Sequence, residues 1–253
     1  MNKLPRRSLT IALDSRYDDE NTSIIAKTAD HPVVKAYKIS AAWTMAEGLI
    51  ECVRTVKESS DCIAILDMQK AGTDVPDTAD AFFEVCAEAE VDMAILFPLS
   101  GPETLYAWVQ SAFVHKIIPI VGAYMTHPKF IQSEGGYIDD QAPFDAYSLA
   151  ASLQVTDFVV PGNKPEVAKR CIHAIEAGSN RLMQDTVAGD ITLFSPGLVT
   201  QGGSISESSA AIGDYPWSAI MGRAIAKAVL DRTITAYLDK IEQELGVVGG
   251  GKD

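Results

Sequence analysis

Met93-Ala94-Ile95-Leu96-Phe97 runs straight into Pro98-Leu99-Ser100-Gly101-Pro102-Glu103, and this junction decides the fold. The first five residues are apolar without alternation, which suits a parallel strand covered on both faces. Gly101 then breaks the chain, and Pro102-Glu103 place proline and acid in the first turn of a helix, where the missing N–H costs nothing and the helix dipole favours a carboxylate. The same unit, a short apolar strand closed by polar residues and followed by an amphipathic stretch, recurs along the chain. Strands are expected at 8–13, 34–39, 62–66, 93–97, 117–121, 157–160, 191–194 and 217–221. Helices are expected between them at 19–29, 42–57, 76–89, 101–113, 143–153, 165–177, 206–212 and 223–245, with Asn163 as a cap-type residue ahead of Pro165. Eight such units suit an α/β class (β/α)8 TIM barrel. A doubly wound open sheet is the alternative, but Asp14-Ser15-Arg16 after the first strand makes a poor dinucleotide turn.

The 253 residues are expected to form a single barrel domain over 1–253, with its core at about 8–247 and a flexible tail at Gly249-Gly250-Gly251. The formal net charge of −13 argues against a nucleic-acid face, which needs clustered Lys and Arg. Met1 to Arg7 is basic but leads into a strand too short for a signal segment, and no 18-residue apolar run occurs, so no membrane span and a cytoplasmic protein are expected. Cys52, Cys62, Cys86 and Cys171 are widely spaced and read as buried inert thiols. His31, His115 and His173 read as solvent-facing, and His127, beside Pro128, as a turn residue or a base. No histidines and carboxylates share ligand spacing, so neither metal nor cofactor is expected. The strand-poor stretch 126–143, with Gly135-Gly136, reads as a lid or a surface insertion.

In a barrel, functional groups gather past the C-terminal ends of the strands. Those positions hold Asp14, Lys38, then Asp67 with Lys70 and Asp74, Thr126-His127-Pro128, Ser195 to Gly203, and Gly222-Arg223. Gly202-Gly203 and Gly222 let backbone N–H groups approach an anion, with Gln201 and Arg223 adding donors, which is a phosphate-site pattern. Lys38, Asp67, Lys70 and Asp74 alternate in charge, and lysines beside carboxylates stay protonated. Such a network can present an ammonium to a developing carbanion. A structural network of ion pairs is the plainer alternative.

Together these residues resemble orotidine 5'-monophosphate decarboxylases. The carrying segments are Ile11-Ala12-Leu13-Asp14, Tyr37-Lys38, Leu66-Asp67, Asp74-Val75-Pro76-Asp77-Thr78, Met125-Thr126-His127-Pro128, Phe194-Ser195-Pro196-Gly197 with Gln201-Gly202-Gly203, and Met221-Gly222-Arg223, in family order. The resemblance implies cofactor-free decarboxylation of orotidine 5'-monophosphate in pyrimidine biosynthesis. It implies that Asp14 and Lys38 bind the ribose, that Asp67 lies near the substrate carboxylate, and that Lys70 protonates C6. Asp74, Val75 and Thr78 are implied to enter the neighbouring subunit's site, giving a homodimer with shared active sites. Thr126 is implied to contact the pyrimidine, Pro196 and Gln201 to cover the substrate, and Gly222 and Arg223 to grip the phosphate. Two departures stand out. The family's Asp-x-Lys-x-x-Asp is two residues longer here, so the lysine falls at +3 from Asp67, the opposite face of an extended strand, unless a bulge re-aims it. Phe97-Pro98 also replaces the family's His-Gly after the fourth strand. A Mg²⁺-dependent sugar-phosphate lyase of the same scaffold, or an inert nucleotide-phosphate binder, are the competing functions.

Overall fold

A computed structural model describes residues 4–68, 74–180 and 191–246. The expected Gly-rich tail and Lys70 lie outside the described residues. Eight parallel strands close on themselves in sequence order. They are β1 (Arg7–Leu13), β2 (Val34–Ser40), β3 (Ile63–Asp67), β4 (Met93–Leu96), β5 (Ile118–Gly122), β6 (Asp157–Val159), β7 (Thr192–Ser195) and β8 (Trp217–Met221). The helices are α1 (Asp18–Thr28), α2 (Ala41–Glu47), α3 (Leu49–Ser59), α4 (Ala79–Glu88), α5 (Pro102–Val114), α6 (Ala142–Ser152), α7 (Pro165–Ser179), α8 (Ile205–Ile212), α9 (Arg223–Leu230) and α10 (Ile234–Leu245). The chain is thus the (β/α)8 barrel that its strand–helix alternation predicts.

Strand parity builds two cores. Ala12, Ala36, Ile65, Met93, Ile95, Ile120, Val159, Phe194 and Ile220 point inward and fill the barrel. Alternate residues such as Leu9, Ile11, Leu13, Tyr37 and Ile39 point outward and meet the helices. Each fully buried side chain of this size contributes about 1.5–3 kcal/mol. Inside the barrel, Thr10 and Ser218 pair their hydroxyls at 2.7 Å, so two polar groups are buried without loss.

The structure corrects the helix expectations at two places. The helix expected over 42–57 is two, broken at Gly48 with φ +87°, a conformation that glycine adopts without a Cβ penalty. The helix expected over 223–245 also splits. Arg232 takes φ +58°, and Thr233 N–H donates back to Ala228 O at 2.9 Å, which closes α9 and redirects the chain. Asn163 is not a cap either: Lys164 holds the capping position of α7, without a side-chain bond. The first turn expected of helix 76–89 is a 3₁₀ turn, Pro76–Thr78, ahead of α4.

Candidate active site

A cleft of 810 Å³ opens at the C-terminal ends of the strands. Asp14, Lys38, Asp67, Thr126, Pro196, Gln201, Gly222 and Arg223, eight of the residues singled out in the sequence, line it. A second cavity of 570 Å³, lined by Leu4, Met93, Ile118, Asp157 and Thr192 among others, sits at the opposite mouth. It holds none of them.

The centre of the cleft is a lysine between two carboxylates. Lys38 shares the inward parity of Ala36 on β2, and Asp67 that of Ile65 on β3. The Lys38 ammonium donates to Asp67 Oδ2 at 2.6 Å and to Asp14 Oδ1 at 3.2 Å. The Lys38 and Asp67 side chains are 10% and 9% exposed, whereas Asp14 is 53% exposed and reaches the open cleft. Burial opposes the charged form of Lys38. The Asp67 and Asp14 carboxylates outweigh it and hold its pKa above the ordinary lysine value. Gly222 makes this arrangement possible, since a Cβ there would lie 2.7 Å from Asp14 Oδ2.

The loop after β7 is tightly folded on itself. Gly197 and Gly202 take φ +90° and +87°, and Val199 takes φ +60°. Val199 N–H donates to Gly203 O at 2.7 Å, Gly202 N–H to Val199 O at 3.2 Å, and Gly203 N–H to Gly197 O at 3.1 Å. This corrects the phosphate-site reading in part. The N–H groups of Gly202 and Gly203 are used within the loop and do not face an anion. The donors that remain are the exposed Arg223 guanidinium, which makes no ion pair among the described residues, and the first turn of α9.

The stretch after β5 is packed onto the barrel. Phe130 and Ile131 are buried, and Ile131 pairs with Ile138. Tyr124 OH donates to Glu134 Oε1 at 2.9 Å, and the Lys164 ammonium donates to the same carboxylate at 3.2 Å and to His127 O at 3.1 Å. Desolvation works against the Glu134 carboxylate, but these hydrogen bonds hold its pKa below the usual range. Burial and the Glu134 carboxylate push Tyr124 up. The His127 ring lies against Phe130, with Nδ1 2.9 Å from Pro128 O, so Nδ1 carries a proton and donates.

Asn163, Lys164, Glu134 and Tyr124 were not singled out as functional from the sequence. Asn163 donates its amide to Thr126 O at 3.1 Å and approaches Gln201 O at 3.5 Å. Its partners are backbone carbonyls, which leave no trace in residue spacing.

Asp74, Val75 and Thr78 do not line the cleft of their own chain. Asp74 and Val75 are exposed, and Thr104 and Trp108 of α5 donate to their carbonyls at 3.1 and 3.5 Å. Two histidine expectations also change. His31 and His115 are mostly covered and pair with Asp239 at 3.3 Å and Asp80 at 2.8 Å, while His173 is solvent-facing. His31, Asp239 and Glu242 hold ligand atoms within 4.8 Å of one another. His31 Nδ1 accepts from Val33 N–H, so Nε2 carries the proton and its lone pair is not offered to a metal. Cys52, Cys86 and Cys171 are buried, with burial pushing each thiol up to about 12, and Cys62 is half-buried and also raised. No helix among the described residues is long and apolar enough to cross a membrane.

The model of the orotidine 5'-phosphate decarboxylase / HUMPS family matches residues 7–234. Orotidine 5'-phosphate decarboxylase from Pyrococcus abyssi is 25% identical over 220 residues, 87% of this chain and 91% of that protein. The enzyme of the same name from Methanosarcina barkeri is 27% identical over 223 residues, 87% of each. A crystal structure of orotidine 5'-monophosphate decarboxylase from Methanocaldococcus jannaschii, complexed with the inhibitor BMP, shares the fold with a TM-score of 0.77 at 21% identity, over 94% of this chain and 98% of that one. With a match across nearly the whole barrel and the charged cleft at its C-terminal mouth, the chain belongs to the orotidine 5'-phosphate decarboxylase / HUMPS family.

Proposed function

We propose that this chain converts orotidine 5'-monophosphate to uridine 5'-monophosphate and CO₂ in pyrimidine biosynthesis, without cofactor or metal. The observation that carries the reading is the Lys38 ammonium held between Asp67 and Asp14 on the floor of a cleft whose rim bears Arg223. The spread of these groups suits a nucleotide. Arg223 and the start of α9 take the phosphate, exposed Asp14 with Lys38 takes the ribose hydroxyls, and Thr126 takes the pyrimidine edge. Pro196 and Gln201 cover the substrate.

The bond from C6 to the carboxylate breaks, CO₂ leaves, and the electron pair stays on C6. An ammonium placed at that carbon stabilises the charge as it develops and then delivers a proton to it. The reading gives this step to Lys70, with Asp67 and Asp74 keeping the lysines charged. Remote binding of the phosphate supplies energy for aligning the ring.

The reading also makes the protein a homodimer with shared sites, in which Asp74, Val75 and Thr78 complete the partner's cleft. The exposure of Asp74 and Val75 outside their own cleft supports it, as do Leu99 and Tyr137, apolar and exposed on the same end of the barrel. A single-domain protein in the cytoplasm fits four free cysteines in a reducing compartment.

The test is the absorbance of orotidine 5'-monophosphate with purified protein and EDTA. Loss of absorbance with release of CO₂ is expected. Unchanged absorbance overturns the reading. Tight binding of uridine 5'-monophosphate without turnover would mark an inert binder, and Mg²⁺-dependent turnover of a sugar phosphate would mark a lyase of the same scaffold.

A further inference from the structure

Asn163 stands at the exit of β6, between the loops that follow β5 and β7. Its Nδ2 reaches carbonyls 37 and 38 residues away on opposite sides: Thr126 O at 3.1 Å and Gln201 O at 3.5 Å, the second near the outer limit of a hydrogen bond. The β7 loop is shaped to receive it. A Cβ on Gly197 would sit 3.0 Å from Asn163 Oδ1, and one on Gly203 3.1 Å from Asn163 Cα. The neighbouring residues fasten the same seam. Gly162 N–H donates to Pro196 O at 2.9 Å, and Lys164 donates to His127 O. Asn163 Oδ1 is buried with no hydrogen-bond partner among the described residues. An orphaned acceptor costs about 1–3 kcal/mol, so the residue does not serve its own local stability well. What its amide gains is simultaneous contact with two loops that face different ends of a nucleotide.

We infer that Asn163 is a positioning residue that couples the two ends of the site: it ties the loop at the pyrimidine edge to the loop that covers the phosphate. The inference rests on the nucleotide reading above. Seating the phosphate under the β7 loop shortens the long contact to Gln201 O, and this pulls on the carbonyl of Thr126 through the same amide. The base and the phosphate then bind better joined than their separate affinities imply, because each orders a loop the other uses.

Asn163→Asp tests this, because it keeps the shape and replaces the donor with an oxygen facing two carbonyl oxygens. The probes are uridine 5'-monophosphate, uridine and inorganic phosphate, titrated against the full chain by ligand-observed NMR, which reads millimolar affinities. The variant is expected to bind uridine 5'-monophosphate about tenfold more weakly, in the range of ordinary coupling energies, with uridine and phosphate each changed by less than about twofold. Asn163→Ser, which can donate to one carbonyl but not to both, is expected to show the same loss. Equal weakening of all three ligands would overturn the inference in favour of a structural role, and so would unaltered binding of the nucleotide by both variants. Failure of the unmutated protein to bind the nucleotide at all would sink the functional reading instead, and the two failures are thereby told apart.

Discussion

A buried ammonium survives only with its countercharge, and Lys38 has two. Lys38→Met removes the ammonium from which Asp67 Oδ2 accepts at 2.6 Å, in a site where the Asp67 side chain is 9% exposed. Removing one partner of a buried pair costs about 3–5 kcal/mol, so a fall in Tm on the order of 6–20 °C is expected for a chain of this size. Adding Asp67→Asn to that variant is expected to restore part of the loss, since it removes a buried negative charge that has lost this ammonium. Thermal unfolding of the single and double variants checks both. The pKa of Lys38 is raised, so its contribution is present below the unfolded lysine value and is lost only as pH rises through the higher folded value. The clamp therefore holds throughout the neutral range, and a neutral-pH break in a pH–rate profile would have to come from another group. Val199 is a second point of tension at this scale. A β-branched residue at φ +60° pays about 1–2 kcal/mol for its Cβ, and Val199→Gly is expected to raise stability in urea by on the order of 1 kcal/mol after the greater flexibility of the unfolded chain is counted. Lys38 and Asp67 were legible because a charge that ends an apolar strand demands a reason. Asn163 was not, because a side-chain amide bonded to carbonyls of distant loops has no local pattern.

Strands were legible to within about a residue, because a buried parallel strand must be apolar throughout and must end where polar groups begin. Helix continuity was not. Gly48 carried a visible signal, but the turn at Asp231-Arg232-Thr233 contains neither glycine nor proline, and the bond that closes it, Thr233 N–H to Ala228 O, is between backbone groups that every residue carries. The stretch after β5 could be located but not interpreted, since the bonds that pin it run from Glu134 to Tyr124 and Lys164. Those bonds set its pH dependence. The Glu134 pKa is depressed, so the anchor is complete above the unfolded carboxylate value and is lost as pH falls through the lower folded value. Phe130 N–H donates to Glu134 Oε2 at 3.4 Å and serves as the reporter. Its hydrogen-exchange protection is expected to persist at neutral pH and to drop only in acid, below the ordinary carboxylate range. Glu134→Gln is expected to lower that protection at neutral pH. Unchanged protection in the variant would show that the loop is held without the carboxylate. Gly136→Ala attacks the same loop sterically, because its Cβ would lie 2.2 Å from Phe130 O, and weaker nucleotide binding is expected.

At the scale of the whole molecule, the net charge of −13 works against an anionic substrate at long range, so the phosphate role proposed for Arg223 and the start of α9 requires them to act locally. The barrel collects groups from distant parts of the sequence at one mouth, and strand order alone told which groups would meet. It did not place Asp74, Val75 and Thr78 in their own cleft, and they do not line it. Either they serve another chain's site or they are ordinary surface. Two inactive variants distinguish these. Asp67→Asn damages the cleft of the chain that carries it, whereas under the shared-site reading Asp74→Asn damages the cleft of the partner. In a heterodimer both lesions fall in one site and the other site is intact. Random reassortment makes half the dimers mixed, each with one good site of two, so about a quarter of normal turnover returns when the variants are unfolded and refolded together. Mixed protein that stays as inactive as its components would place Asp74 outside the partner's site. Turnover retained in Asp74→Asn alone would remove it from catalysis, and the exposed Val75 beside it, 57% accessible, would then need another occupant.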